Sequence, residues 1–404
     1  MNGGNTMIFK AELVRGIAKT VHPYGCRQEV LNQIEYCRKS KQFKGPKKVL
    51  IIGASSGFGL ATRISLAFGG PKADTIGVSF ENGISDRRTG TAGWYNNIFF
   101  KEYAEKEGLT AKNFIGDGFS DEIKDEVINY IKKEFGKIDL LVYSLAAPRR
   151  KDPETGKIYN STLKTTGEEF EGPTIDLEKD ELVMTKVKSA TEDEIESTKK
   201  VMGGEDWEKW CNMLLENDCL ADNAVTISYS YIGSPRTYKI YREGTIGAAK
   251  CHLENTALKI NKEWNEKING KAFVSVNKAL VTKASAYIPA FSLYAAILYK
   301  VMKEKGIHEN CIMQTQRMFS EKIYSEKSIE FDDKGRLRMD DFELREDVQN
   351  KVNLLWDKIT PENFDMLSDY EGYKKEFMQM NGFEIDGVDY EEDIDIEQLK
   401  RLEP

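Results

Sequence analysis

Short apolar runs alternate with amphipathic stretches along most of the chain. Helix-compatible segments separate six apolar runs of strand length, at residues 49–52, 75–80, 113–116, 138–143, 224–229 and 272–277. Runs with so few polar positions are typical of strands covered on both faces, as in a parallel sheet. Strands that alternate with helices predict βαβ units. The pattern therefore predicts an α/β protein built on a parallel sheet.

Segments at both ends and in the middle depart from this alternation. Before the first run, residues 8–14 favour a strand and residues 29–39 a helix, with a turn at 22–26 between them. Residues 152–200 are polar and charged, and they predict an insertion that contains a hairpin. Residues 329–338 carry an Asp-Asp-Lys-Gly turn and predict a second hairpin. The remainder of the chain is predicted to be helical and acidic.

A glycine-rich turn follows the first apolar run at once. Gly53, Gly57 and Gly59 give the spacing G-x-x-x-G-x-G, and a helix-compatible segment begins there. This order lets backbone N–H groups at a helix N-terminus face a pyrophosphate. The spacing is typical of short-chain dehydrogenases and predicts a doubly wound, Rossmann-type sheet that binds a dinucleotide. An ordinary turn between strand and helix is the alternative.

Length and pattern together suggest how the chain is organised. Length alone would suggest two or three domains, but we expect a single decorated domain over residues 7–404, with residues 1–6 as an extension outside the fold. Its expected parts are a dinucleotide-binding half (45–150), an insertion with helices (151–222), a catalytic and substrate-binding half (223–325) and a C-terminal helical segment (326–404).

Composition excludes several classes of function. The formal net charge of −8 argues against a general nucleic-acid binder. No run is long and apolar enough to span a bilayer, and the N-terminus lacks the apolar segment of a signal peptide. Six scattered cysteines without a C-x-x-C pair, and only three histidines, make a metal site unexpected and indicate reduced thiols in the cytoplasm.

Acidic residues at the ends of two predicted strands suggest how the dinucleotide is held. Glu81 lies 22 residues after Gly59, near the spacing of an acid that binds the adenosine ribose hydroxyls. A carboxylate there repels a 2′-phosphate and so favours NADH over NADPH. Asp117 and Gly118 follow the third run, where an acid often contacts the adenine. A solvated acid at a strand end is the alternative for Glu81.

A tyrosine and a lysine supply candidate chemistry. A hydride-transfer enzyme needs a phenol that holds an oxyanion and a cation that binds ribose. The Tyr-x-x-x-Lys pair of short-chain dehydrogenases is absent at the expected place, and Tyr241 and Lys250 are instead nine residues apart. Nine steps of about 100° would put them on opposite faces of an unbroken helix. Because Gly244 intervenes, we predict a helix that starts near Thr245, with Tyr241 in the preceding loop.

The Tyr-(x)8-Lys spacing resembles that of the NADH-dependent trans-2-enoyl-CoA reductases and the related FabV-type enoyl-ACP reductases. The resemblance covers nearly the whole chain from about Met7. Its motifs are HPYGC, GASSGFGLATR, GTAGWYNN, YSLAAPRR, YSYIGSPRTYKIYREGTIG and SVNKALVTKASAYIP. In detail the sequence is most like the clostridial members, which reduce crotonyl-CoA to butyryl-CoA.

The resemblance implies an oxidoreductase of lipid metabolism that uses NADH and needs neither metal nor flavin. Tyr241 would donate the proton and stabilise an enolate, Tyr231 would touch the substrate, and Lys250 would bind NADH. The other implied cofactor-binding residues are Gly53, Ala54, Ser55, Ser56, Gly57, Phe58, Phe80, Glu81, Asp117, Gly118, Leu145, Ala146, Leu280, Val281 and Thr282.

The expected partner is a short-chain enoyl-CoA, with no nucleic acid or membrane, and the expected state is a monomer. The apolar segment 287–302 is suited to wall an acyl pocket. Arg149, Arg150 and Lys151 are candidates for binding CoA phosphates, with solvated surface charge as the alternative. His22, before a proline, is more typical of a structural residue than of an active-site residue. The rival functions are an enoyl-ACP reductase, a carbonyl-reducing short-chain dehydrogenase and a non-catalytic NAD-binding protein.

Overall fold

A seven-stranded sheet, parallel throughout, forms the centre of the molecule. The computed structural model describes residues 6–14, 16–85 and 88–404. The strands are β1 (Lys48–Ile52), β2 (Asp74–Ser79), β3 (Ala111–Ile115), β4 (Ile138–Tyr143), β5 (Leu220–Ser230), β6 (Lys271–Val276) and β7 (Leu337–Arg338). Their order is 3-2-1-4-5-6-7. The predicted doubly wound sheet is confirmed, and its order reverses between β1 and β4, where such sheets bind ligands.

The helices follow the predicted alternation and extend beyond it at the C-terminus. They are α1 (Pro23–Lys39), α2 (Gly57–Phe68), α3 (Ala92–Lys106), α4 (Asp121–Tyr130), α5 (Glu192–Met202), α6 (Glu205–Glu216), α7 (Thr245–Ile268), α8 (Phe291–Glu304), α9 (Cys311–Arg317), α10 (Glu346–Trp356), α11 (Phe364–Leu367), α12 (Tyr370–Gln379) and α13 (Ile396–Lys400). Among the described residues, none of these helices is both long enough and apolar enough to cross a membrane.

Short antiparallel pairs of strands lie outside the central sheet. They join Thr6–Met7 to Ile394–Asp395, Leu13–Val14 to Ile17–Ala18, Arg149–Lys151 to Ile158–Asn160, and Phe170–Asp176 to Glu181–Val187. The last pair is the hairpin expected within the insertion. Thr6, assigned to an extension outside the fold, pairs with Asp395 and so belongs to the folded part of the chain.

Three local predictions were wrong. Only Leu13–Val14 of the expected strand 8–14 is a strand. The expected turn at 22–26 is the first turn of α1, with Pro23 at its start and His22 as the capping residue, whose Nδ1 accepts the N–H of Gly25 at 3.0 Å. The turn within 329–338 exists, but no hairpin forms, because β7 pairs in parallel with β6 instead.

Apolar side chains of the central strands pack against helices on both faces of the sheet. Leu50 and Ile52 of β1 pack in one apolar cluster with residues of α4, α6 and α7. Val49 and Ile51 point to the opposite face, where they join Leu66 of α2. This alternation buries residues 49–52 of β1 completely, on both faces of the sheet. The central strands thus form a rigid base whose carboxyl ends can hold a site in fixed geometry.

Candidate active site

A cavity of about 1100 Å³ lies at the carboxyl ends of β1, β4, β5 and β6. Tyr231, Tyr241, Lys250 and the other residues expected to bind NADH line it, except Ala54 and Val281. The N–H of Ala54 donates to the backbone oxygen of Val78 at 3.1 Å. The N–H of Val281 donates to the Tyr299 hydroxyl at 3.0 Å. These two residues therefore support the cavity wall from behind.

The glycine turn and the start of α2 form one end of the cavity. Gly53 has φ of +86°, and a Cβ there would lie 2.4 Å from the backbone oxygen of Ser144, so this turn requires glycine. Helix α2 begins at Gly57, and the side chain of its capping residue, Ser56, makes no capping hydrogen bond. Gly57 and Phe58 line the cavity. The N–H groups of this first turn are suited to bind a pyrophosphate.

The acid at the end of β2 is held in place by its neighbours. The hydroxyl of Ser55 donates to Glu81, and the Ser55 backbone oxygen accepts from Asn96 Nδ2 at 2.9 Å. Gly93, near the start of α3, leaves room for the Glu81 carboxylate, since a Cβ at Gly93 would lie 2.0 Å from Glu81 Oε1. The motif GTAGWYNN thus contains a residue that shapes the expected ribose site.

A buried ion pair supports the turn expected to meet the adenine. Nζ of Lys124 lies 2.8 Å from Asp206 Oδ1, and both side chains are buried. The same ammonium group donates to the backbone oxygens of Gly118 and Phe119, at 3.0 and 2.8 Å. Burial lowers the pKa of Lys124 and raises that of Asp206, and the opposite charge of each partner counteracts this. Sequence reasoning missed this pair, because no local signal joins residues so far apart.

Tyr241 and Lys250 have the arrangement predicted from their spacing. Helix α7 begins at Thr245, Tyr241 lies in the loop before it, and both Tyr241 and Lys250 line the cavity. The N–H of Tyr241 donates to the Thr237 oxygen at 2.9 Å, and its oxygen accepts from the Gly247 N–H at 2.9 Å. The loop therefore folds back on the first turn of the helix and brings phenol and ammonium to one space.

An ion pair fixes this loop to α7. Arg242 donates to both carboxylate oxygens of Glu254, at 2.7 and 3.1 Å. Lys250 lies one helical turn before Glu254 and donates to the Tyr229 oxygen at 2.9 Å. Burial lowers the pKa of Lys250 to about 8, and the charge of Glu254 opposes that shift. Burial also raises the pKa of Tyr241, which keeps its phenol protonated at neutral pH.

The rings of two tyrosines are in contact at the wall of the cavity. The rings of Tyr231 and Tyr241 lie edge to face, with centroids 4.7 Å apart and planes at 76°. Within the described part of the chain, the Tyr241 hydroxyl makes no hydrogen bond to another residue. It lines the cavity and is therefore free to donate to a bound group.

The basic cluster and the apolar segment contribute less to the cavity than expected. Arg150 is buried, with NH1 3.1 Å from Glu205 Oε1 and 2.8 Å from the Lys200 backbone oxygen, so it does not lie at the mouth. Arg149 and Lys151 do line the cavity. Of segment 287–302, Ile288 and Phe291 line it, whereas α8 from Leu293 to Met302 packs mainly in the core against α10 and α12.

His22 lies away from the cavity and has a structural role. It is completely buried and caps α1, and its ring contacts those of Phe9, Phe383 and Tyr390. Burial lowers its pKa to about 4, with the charge of Asp389 opposing the shift, so the ring is neutral and its Nδ1 can accept the N–H of Gly25. The motif HPYGC is explained by this cap.

Three family models match the chain. Residues 88–324 match the "Trans-2-enoyl-CoA reductase catalytic region", and residues 8–86 match the "NAD(P)H binding domain of trans-2-enoyl-CoA reductase". Residues 331–394 match the "Enoyl reductase FAD binding domain". The first match alone spans more than half of the chain.

Residues 331–394 do not fit a flavin in this structure. None of them lines the large cavity. The strand in this segment, β7, has two residues and is not followed by a glycine turn and helix that could hold a pyrophosphate. Five aromatic side chains of the segment are buried in the cluster that contains α8, namely Phe364, Tyr370, Tyr373, Phe377 and Phe383. The segment is a packing layer that completes the core.

Curated and solved relatives agree with the first two matches. The chain is 81% identical to the NADH-dependent trans-2-enoyl-CoA reductase of Clostridium beijerinckii, over 98% of this chain and 100% of that one. It is 55% identical to an NADH-dependent enoyl-[acyl-carrier-protein] reductase of Photobacterium profundum, over 98% of this chain and 100% of that one. The crystal structure of the Clostridium acetobutylicum trans-2-enoyl-CoA reductase in complex with NADH superimposes with a TM-score of 0.98 at 71% identity, over 98% and 100% of the two chains. The chain belongs to the family of NADH-dependent trans-2-enoyl-CoA reductases.

Proposed function

We propose that this enzyme reduces crotonyl-CoA to butyryl-CoA, with Tyr241 as proton donor and Lys250 as the cation that holds the nicotinamide ribose. The observation that carries the proposal is the convergence of Tyr241 and Lys250 on the cavity that also contains the glycine turn. The spacing of eight intervening residues permits this because α7 begins between them.

NADH supplies the hydride that reaches the β-carbon of the trans-2-enoyl thioester. Negative charge then develops on the thioester oxygen, and a proton must reach the α-carbon to complete the saturated product. A hydroxyl aimed at the developing charge stabilises it most in a water-excluded site. Tyr241 is 6% exposed and has no competing partner among the described residues, which suits it to this role.

Lys250 contributes a fixed positive charge on the same side of the cavity. Its hydrogen bond to the Tyr229 oxygen restrains the ammonium group and leaves two of its protons for other acceptors. Ribose hydroxyls are acceptors of the right kind. The same charge favours loss of a proton from the nearby phenol during the reaction.

The remaining lining residues suit an NADH molecule extended across the carboxyl ends of the strands. Gly53, Ser55, Ser56, Gly57 and Phe58 would bind the pyrophosphate, and the adenosine ribose would be bound by Phe80 and Glu81. The adenine would lie at Asp117 and Gly118. The nicotinamide half would lie between Leu145, Ala146, Leu280 and Thr282. Ala54 and Val281 would act through the backbone conformation of these segments.

We also propose a cytoplasmic monomer. All six cysteines are free thiols, which suits a reducing compartment. Tyr241, Lys250 and the glycine turn of one chain line the same cavity, which suits a monomer. Size-exclusion chromatography with light scattering would measure the oligomeric state.

The deciding experiment is NADH oxidation by the purified enzyme, followed at 340 nm with and without crotonyl-CoA. Oxidation that requires crotonyl-CoA and yields butyryl-CoA is expected. Oxidation with ketone or aldehyde substrates alone would indicate a carbonyl reductase, and NADH binding without turnover would indicate a binding protein.

An enoyl-ACP reductase is the second candidate, because the chain is 55% identical to the Photobacterium profundum enzyme. The higher identity of 81% to a trans-2-enoyl-CoA reductase favours CoA. Matched crotonyl-CoA and crotonyl-ACP, assayed for kcat/KM at the same NADH concentration, would separate the two carriers. A higher kcat/KM with crotonyl-CoA is expected.

A further inference from the structure

The carboxylate of Glu343 enters the wall of the active site from the C-terminal segment. It is completely buried, in the loop between β7 and α10. Its Oε2 accepts the N–H of Ala279 at 2.6 Å. Its Oε1 accepts the hydroxyl protons of Tyr231 at 3.0 Å and Tyr294 at 2.7 Å. One carboxylate therefore holds three donors that come from three different elements.

These three donors lie at or directly behind the cavity surface. Tyr231 follows β5 and Ala279 follows β6, and both line the cavity. Tyr294 is a buried residue of α8. Gln349 of α10 reinforces the cluster, because its Nε2 donates to the Tyr294 hydroxyl at 3.2 Å and to the Glu343 backbone oxygen at 2.7 Å. Glu343 thus connects the C-terminal segment to the cavity wall through Tyr231 and Ala279.

Three donors on two oxygens match an ionised carboxylate, which can only accept. Burial raises the pKa of Glu343, while the hydrogen bonds from Ala279 and Tyr294 and the charge of Lys278 oppose that shift. A proton on Oε1 would compete with the two tyrosine hydroxyls that donate to it. The arrangement is fully satisfied only when both tyrosine hydroxyls point their protons at Glu343.

We propose that Glu343 is a positioning residue that assigns different roles to the two active-site tyrosines. By taking the hydroxyl proton of Tyr231, it leaves Tyr231 with only a lone pair for the substrate side. Tyr241, whose hydroxyl has no partner among the described residues, then remains as the proton donor. By taking the N–H of Ala279, Glu343 also fixes the start of the loop that leads to Leu280 and Thr282. This inference rests on the proposed function of the site.

The first test compares two phenylalanine variants. Tyr241→Phe is expected to lower kcat about a hundredfold or more, because it removes the proton donor. Tyr231→Phe is expected to lower kcat less than about tenfold, because it removes a hydroxyl whose proton is already held by Glu343. A loss of tenfold or more for Tyr231→Phe would overturn the proposal. This comparison needs no change at Glu343 itself.

The second test is a double-mutant cycle with Glu343→Gln. The amide of glutamine has one oxygen acceptor and one NH₂ donor. If the NH₂ group replaces Oε2, it faces the Ala279 N–H, which is also a donor. If it replaces Oε1, it donates to the two hydroxyls and turns the Tyr231 proton towards the cavity. We expect Glu343→Gln to lower kcat about tenfold. In the Tyr231→Phe background, Glu343→Gln is expected to lower kcat by a factor at least threefold smaller, because the Tyr231 hydroxyl proton is absent there. Equal losses in both backgrounds would overturn the proposal.

Further measurements separate this idea from its alternatives. Thermal unfolding of each variant shows whether the protein is folded. If Glu343 has a purely structural role, kcat per folded molecule will be unchanged in Glu343→Gln, and that result would also contradict the proposal. If the wild type fails to reduce crotonyl-CoA, or if Tyr241→Phe keeps its turnover, the proposed function or the role of Tyr241 is wrong. If both behave as expected and only the Glu343 cycle fails, the assignment to Glu343 alone is wrong.

Discussion

Lys250 donates a hydrogen bond of 2.9 Å to the backbone oxygen of Tyr229, in a position where burial lowers its pKa to about 8. Below pH 8 the amine is charged, and above it the charge is lost. A charged donor binds a ribose hydroxyl more tightly than a neutral one, by about 1 kcal/mol. We therefore expect the Kd for NADH to rise about fivefold as the pH increases from 7 to 9. Quenching of protein fluorescence by NADH measures this.

Lys250→Arg is the matched control, because a guanidinium group stays charged throughout this range. Its NADH affinity is expected to be weaker than that of the wild type but independent of pH. Lys250→Ala is expected to weaken NADH binding and to lower turnover at every pH. A wild-type Kd that stays constant between pH 7 and 9 would contradict the assignment of Lys250 to the cofactor.

Tyr241→Phe is expected to keep its NADH affinity and to lose about a hundredfold or more in kcat, since one donor to the developing oxyanion disappears. Tyr238→Phe serves as a matched control: this residue lies three positions earlier and does not line the cavity. Its kcat is expected to be close to that of the wild type. Steady-state rates with crotonyl-CoA measure both variants, and near-normal turnover of folded Tyr241→Phe protein would refute its role.

The first six strands could be predicted from sequence because buried parallel strands are continuous apolar runs. The loop position of Tyr241 could be predicted because Gly244 interrupts a helix at a defined point. In both cases the signal lies in neighbouring residues. The order of the sheet then follows from the rules for doubly wound folds.

The features that could not be predicted depend on contacts between distant residues. Strand β7 has two residues, too few for a periodic signal, and it is defined only by pairing with β6. Glu343 resembles any acid of the acidic C-terminal segment until folding buries it beside Tyr231. The basic neighbours of Arg150 favour a role in binding CoA phosphates, yet its ion-pair partner, Glu205, lies 55 positions along the chain.

Coenzyme preference depends on the space around Glu81. We expect the wild-type enzyme to favour NADH strongly over NADPH. Glu81→Gln is expected to reduce this preference, because it removes the negative charge that repels the 2′-phosphate of NADPH. Gly93→Ala is expected to act in the same direction and also to raise the KM for NADH, because the new Cβ would lie 2.0 Å from Glu81 Oε1. Gly167→Ala, where a Cβ meets open space, is the control. Equal use of both coenzymes by the wild type would contradict this account.

The buried pair Lys124–Asp206 is expected to control the stability of the fold. Asp206→Asn leaves a buried ammonium group without its counter-ion, which costs about 3–5 kcal/mol of unfolding free energy. The double variant Lys124→Met with Asp206→Asn is expected to recover part of this loss, because no charge remains buried. Urea unfolding measures the stability. Glu263→Gln, in an exposed pair with Lys267, should change it little.

The cationic mouth of the cavity gives the last prediction. CoA carries several phosphate charges, and the chain is acidic overall, so local cations must bind them. Arg149 and Lys151 are exposed and line the cavity, whereas Arg150 is buried and forms an ion pair with Glu205. Substituting Arg149 and Lys151 together by Gln is expected to raise the KM for crotonyl-CoA about three- to tenfold.

A crotonyl thioester of pantetheine, which lacks the nucleotide, should show an unchanged KM with the same double variant. The difference between the two substrates is expected to shrink at high ionic strength, because exposed charges are screened. Arg150→Gln should instead lower the unfolding free energy and leave the KM ratio of the two substrates as it is in the wild type, since its partner is Glu205. If Arg149 and Lys151 influence both substrates equally, they act on the fold or on NADH, and CoA must be bound elsewhere on the rim.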